Sequence, residues 1–183
     1  MTANAASDKT APIAVELRLD RISRLYNFLD PAPFHEKELE DAADDYIVGS
    51  ALDAGGQPIR LVIMLPDAEL TRAEAREVPA SIRNHFSLRR DGERRRLREM
   101  WRRGRMALLI GVAFLAACLF ARSLLLQSPS TFAHILAEGL LILGWVAMWG
   151  PLDVFLYGWW PIWSRYKLLD RLAGLDVEVR RLK

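Results

Sequence analysis

The sequence predicts an α+β protein, a small cytosolic domain of two to three strands and two helices carried on a two-helix transmembrane hairpin. Three observations predict it. Residues 106–126 and 132–158 are two long apolar stretches joined by Gln127-Ser-Pro-Ser-Thr131. Short segments alternating with period two lie on both sides of this pair. An acidic stretch of helical character separates the first of those segments from the apolar run 58–65.

Residues 1–12, rich in Ala, Ser and Thr, read as a disordered tail with no secretory signal. A cytosolic acidic domain over 13–90 follows. Ile13, Val15, Leu17 and Leu19 alternate with Ala14, Glu16, Arg18 and Asp20, the pattern of a half-buried strand. Arg21–Asp30 is a connector, ended by Asp30-Pro-Ala-Pro33. A helix is expected over about 36–52, with Ala42, Ala43, Tyr46, Ile47, Ser50 and Ala51 inward and its carboxylates, Asp44 among them, on a solvated face. Asp53-Ala-Gly-Gly56 ends it. The run 58–65 reads as a strand covered on both faces. Helical pattern resumes at Thr71, which with Glu74 fits a capping box, and Pro79 is expected to interrupt or kink it.

An arginine-rich juxtamembrane helix is expected over 91–105, transmembrane helices over 106–126 and 132–158, and an external turn over 127–131. The first stretch carries one charge, Arg122, in 21 residues, and at 1.5 Å per residue it crosses a hydrocarbon core of roughly 30 Å. Charge is sharply segregated. Residues 1–70 hold 13 acidic and 6 basic side chains, and residues 71–105 hold 5 acidic and 12 basic. Arg94, Arg95, Arg96, Arg98, Arg102, Arg103 and Arg105 precede the first span, Arg165, Lys167 and Arg171 follow the second, and the connecting turn is uncharged. Positive charge flanking spans stays cytoplasmic, so both termini are expected in the cytoplasm, with the collar on anionic inner-leaflet lipid. This setting favours lipid over nucleic acid as the partner of the arginines.

Within the spans, Ala113, Ala117 and Ala121, and Ala133, Ala137 and Gly144, form small-residue stripes expected to pack the hairpin on itself, the alternative being packing of a second copy through one of them. Arg122 and Glu138 lie at matching depths and are expected to pair, with His134 one turn from Glu138. Pro151 is expected to kink the second span. Trp101, Tyr157, Trp159, Trp160 and Trp163 read as an interfacial aromatic belt. Residues 159–183 are this belt and a basic cytosolic tail. Leu175, Val177 and Val179 alternate with charged residues, so the tail is expected to end in a strand that returns beside strand 13–19 or strand 58–65.

No phosphate-binding loop, dinucleotide fingerprint, zinc-protease motif or serine-hydrolase elbow is present. The single cysteine, Cys118, sits in an apolar stretch as a packing residue. No catalytic residue, cofactor or metal site is assigned. The segment Asn27–Phe34, the acidic helix to Tyr46-Ile47, the arginine collar and Phe155-Leu-Tyr-Gly-Trp-Trp-Pro161 together resemble a group of uncharacterised bacterial inner-membrane proteins. In that group a small cytosolic domain precedes a two-span hairpin and a basic tail; the resemblance implies topology and origin, not an activity. The functional expectation is a membrane-anchored interaction, regulatory or scaffold protein with a protein partner or a second copy. The alternative is a subunit of an oligomeric channel or transporter using His134 and Glu138, and an inner-leaflet enzyme ranks last.

Overall fold

The computed structural model describes residues 12–182, apart from the side chains of residues 35, 73 and 74. The tail expected over 1–12 lies outside them except for Pro12. The elements are β1 (Ile13–Arg18), α1 (Asp41–Asp53), β2 (Ile59–Leu65), α2 (Asp67–Leu70), α3 (Ala73–Leu125), α4 (Thr131–Ala147), α5 (Trp149–Asp153), a π-helical turn (Val154–Gly158), α6 (Trp159–Ala173) and β3 (Asp176–Arg181). Single 3-10 turns occupy Ile22–Leu25 and Phe34–Glu36. The fold class is α+β, a three-stranded sheet with two long apolar helices.

The chain forms two units, one running to Gly92 and resuming at Arg165, the other Glu93–Ser164. In the first, the sheet has order β1-β2-β3 and is parallel throughout. Parallel neighbours need long crossovers. Between β1 and β2 the crossover contains α1; between β2 and β3 it is the entire hairpin. Val15 pairs with Leu61 and Leu61 with Val177, and Arg60 binds the Asp176 carboxylate at 2.7 Å across the second pair.

Alternation explains which side is buried. Val15, Leu61, Ile63, Leu65 and Val177 share a core with Ala43, Ile47 and Ala51 of α1, Ala75, Val78, Ile82 and Phe86 of α3, and Leu169 and Leu172 of α6. The opposite positions carry Glu16, Arg18, Arg60, Glu178 and Arg180. The sheet is therefore helix-covered on one face, not on both. The apolar run in β2 reflects its central position: Val62 is buried, with Glu16 and Glu178 as its register neighbours.

Four local expectations are corrected. Helix α1 starts at Asp41, because Glu40 and the residues before it stay extended in the bridge Tyr26↔Leu39. Its buried side is Ala43, Asp44, Ile47 and Ala51, while Ala42 and Tyr46 are exposed. Thr71 is no amino-terminal cap; it follows α2, and its hydroxyl donates back to the Ala68 carbonyl at 3.1 Å. Pro79 stands inside α3 without ending it, flanked by buried Val78 and Ile82, whose packing offsets the lost helical bond.

Candidate functional site

In the second unit, α3 and α4 lie against each other through residues that permit close backbone approach. A Cβ on Gly144 would stand 2.8 Å from Leu115 Cδ1 and 3.3 Å from Cys118 Cβ. One on Gly111 would meet Met148 Sδ at 3.2 Å, and one on Gly104 would meet Val154 Cγ1 at 2.8 Å. The seam on α3 is Gly104, Gly111 and Cys118, seven residues apart, with Gly111 against Pro151 and Cys118 against Gly144; Ala133 and Ala137 of α4 are also buried. The expected stripe in the second stretch is correct. Its partner is not: Ala113 and Ala117 are exposed, because the heptad spacing of the small residues at 104, 111 and 118 sets which face turns inward.

The expected ion pair is present: Arg122 Nη2 donates to Glu138 Oε1 at 3.3 Å. His134 does not join it. Its Nδ1 lies 3.0 Å from the Ser130 carbonyl, so Nδ1 carries the proton and donates back to the carbonyl that also accepts the His134 backbone N–H. After Ala147 the helix breaks at Met148, whose N–H bonds to Trp145 O at 3.0 Å. Pro151 supplies no N–H to the Ala147 carbonyl, which accounts for the break. The π-helical turn follows.

All seven collar arginines are exposed. Arg96 binds buried Glu93 at 2.9 Å and is partly a structural residue. Arg98, Trp101, Arg102 and Arg105 line one recess of about 420 Å3. Trp101 is packed against Phe155 at 5.3 Å between ring centroids. Trp159 stacks near Trp160 and Trp163 at 5.6 and 5.8 Å, and Tyr157 and Trp160 project outward.

The domain of the first unit holds two features that the sequence reading missed. One is a cavity of about 350 Å3 between Leu39, α1 and α3, lined by Glu36, Glu38, Asp41, Asp44, His85 and Arg89. Asp44 is buried at its wall. His85 Nε2 lies 3.2 Å from Asp44 Oδ1, and Arg89 Nη1 binds Oδ2. The Leu39 N–H donates to His85 Nδ1 at 3.3 Å, so the proton sits on Nε2 and points at Asp44. Burial pushes the Asp44 carboxyl up, but the hydrogen bonds from His85 and Arg89 outweigh it and hold the group below the usual carboxylate range. No separate signal in the sequence marks Asp44 among its acidic neighbours; only the pairing of His85 and Arg89 one helical turn apart on α3 hints at a shared acceptor.

The other feature is the turn Asn27–Asp30. Asn27 Oδ1 accepts from Leu29 N–H at 3.0 Å. Asp30 accepts from Glu38 N–H at 2.7 Å and from Ala32 N–H at 2.9 Å, and these two bonds hold its carboxyl below the ordinary range. The backbone pinned in this way displays Phe28 and Leu29, 91% and 85% exposed, while the nearby Ile22, Leu25 and Tyr26 are buried.

Among the described residues no group of histidine, cysteine and carboxylate side chains is arranged to hold a metal ion. No family model, curated protein or solved structure matches the chain. Its described architecture is a small parallel three-stranded sheet plus two helical runs, Ala75–Leu125 and Thr131–Ala173, long and apolar enough to cross a membrane.

Proposed function

We propose that the chain is a membrane-anchored interaction protein of the bacterial inner membrane, regulatory or scaffolding rather than catalytic, with both termini cytoplasmic. The observation that carries the interaction reading is the pinned turn Asn27–Asp30. Phe28 and Leu29 stand side by side almost wholly in solvent, an apolar surface that a docking partner would cover. Covering each gains about 1.5–3 kcal/mol. Because the turn is already ordered, little is lost on docking. The excess of acidic over basic residues in 1–70 disfavours insertion into an anionic leaflet and favours a protein pocket with basic surroundings.

The membrane reading is supported by the outward apolar residues of the hairpin, among them Leu109, Ile110, Phe120, Ile135, Ile142 and Trp149. Same-side termini are supported by the sheet, since β2 precedes the hairpin, β3 follows it, and the two strands are hydrogen-bonded neighbours. The arginine collar then favours the cytoplasmic side. The reading as a channel or transport accessory has less support, because Glu138 is engaged by Arg122 and His134 by Ser130.

The test purifies the full chain from membranes in mild detergent beside a Phe28→Asp/Leu29→Asp variant. The parent is expected to carry a stoichiometric protein partner that the variant loses while melting normally. A parent that carries none defeats the proposal.

A further inference from the structure

The geometry points to a phospholipid headgroup site on α3, formed by Arg98, Arg102 and Arg105 around Trp101, that takes a lipid phosphate bearing more than one negative charge. The inference rests on the reading of the hairpin as membrane-spanning with the collar on its anionic side.

At about 100° per residue, positions 98, 101, 102 and 105 fall within one sector of roughly 100° and span about 10 Å along the axis. These four residues line a single recess. Arg60 pairs with Asp176, Arg89 with Asp44, Arg90 with Asp91 and Asp170, and Arg96 with Glu93, whereas Arg94, Arg95 and Arg103 show no ion pair among the described residues but do not line the recess. Among the described residues, Arg98, Arg102 and Arg105 make no ion pair, and neither Glu99 nor Asp153 reaches them. Like charges one turn apart on a helix repel. Three of them gathered without a counter-charge define a place for an anion from outside the chain.

Guanidinium groups fit phosphate oxygens in forked pairs, and three of them exceed what a singly charged diester neutralises. Met106 begins the apolar stretch directly after Arg105. An anion held here is therefore placed where a headgroup meets the hydrocarbon. Trp101, fixed from behind by Phe155, supplies the flat apolar floor that an acyl-glycerol backbone requires and a free ion does not.

The experiment measures lipid retained by the full chain, by native mass spectrometry, from mixed micelles containing equal phosphatidic acid and phosphatidylcholine. Phosphatidic acid is expected to be retained preferentially. Arg98→Gln/Arg102→Gln/Arg105→Gln should lower that retention about tenfold or more, the scale of losing several interfacial charges. The control Arg94→Gln/Arg95→Gln/Arg103→Gln removes the same charge from arginines that do not line this recess and should change it by less than about twofold. Excess inorganic phosphate should not displace the lipid. Equal loss in both triple variants, or displacement by phosphate alone, overturns the site. Reporters fused to the two ends test the membrane orientation separately, so a failure of that reading is distinguishable from a failure of the site.

Discussion

Replacing Asp44 by Ala removes the acceptor shared by His85 and Arg89, and the cost can be worked from their surroundings. The His85 side chain is 9% exposed and that of Asp44 12%. His85 cannot turn its Nε2–H to another partner without giving up the Leu39 N–H bond on Nδ1. A buried donor left in this way costs about 1–3 kcal/mol. Arg89 is one-third exposed and regains water, so its loss is small, about 0–1 kcal/mol. The expected destabilisation is about 1–4 kcal/mol, which in a domain of this size lowers the melting midpoint by roughly 4–30 °C. Proteolysis-coupled melting of the full chain in detergent reads it. The pH response has a definite sign. The folded carboxyl titrates below its unfolded value, so its stabilisation is complete above the unfolded value of about 3.9 and is lost as pH falls through the folded one. Asp44→Asn should lack that acid-sensitive component. An Asp44→Ala variant melting within about 2 °C of the parent would refute the reasoning.

Three further outcomes follow from the packing. Removing residues 175–183 takes away β3 with buried Leu175 and Val177, and should speed proteolysis of the sheet domain by at least about tenfold; unchanged resistance would contradict the parallel β2–β3 pairing. Gly144→Leu should weaken the helix pair by about 1–3 kcal/mol in a detergent-unfolding titration, whereas Gly139→Leu, where a Cβ meets nothing within 4 Å, should be near neutral. Glu138→Gln should leave ion flux across proteoliposomes at the parent level, because the carboxylate serves Arg122; a loss of flux in that variant would reinstate the transport reading.

The amphipathic patterns were readable because period and length are local properties. The strand alternation at 13–19 and 175–180, the two apolar stretches and the Arg122–Glu138 match depended on spacing along one segment and on helical rise. The capping role given to Thr71 failed because a short preceding helix, α2, claimed that residue as its own end. The inward face of α1 was right at Ala43, Ile47 and Ala51 but missed Asp44, because charge was taken as a sign of solvent, and Asp44 is buried only where His85 and Arg89 arrive from a segment some forty residues away.

By itself, the order of residues determined the α+β class, the hairpin and its charged collar, since each follows from composition and periodicity within a window of one element. Only the tertiary structure decided that the last strand joins β2 in parallel and that Gly104, Gly111 and Cys118, rather than the alanines, form the seam. It alone turned Phe28 and Leu29 outward and Asp44 inward. Those outcomes depend on which surfaces meet across long chain separations, where close approach and the pairing of buried polar groups select among faces that local pattern leaves equivalent.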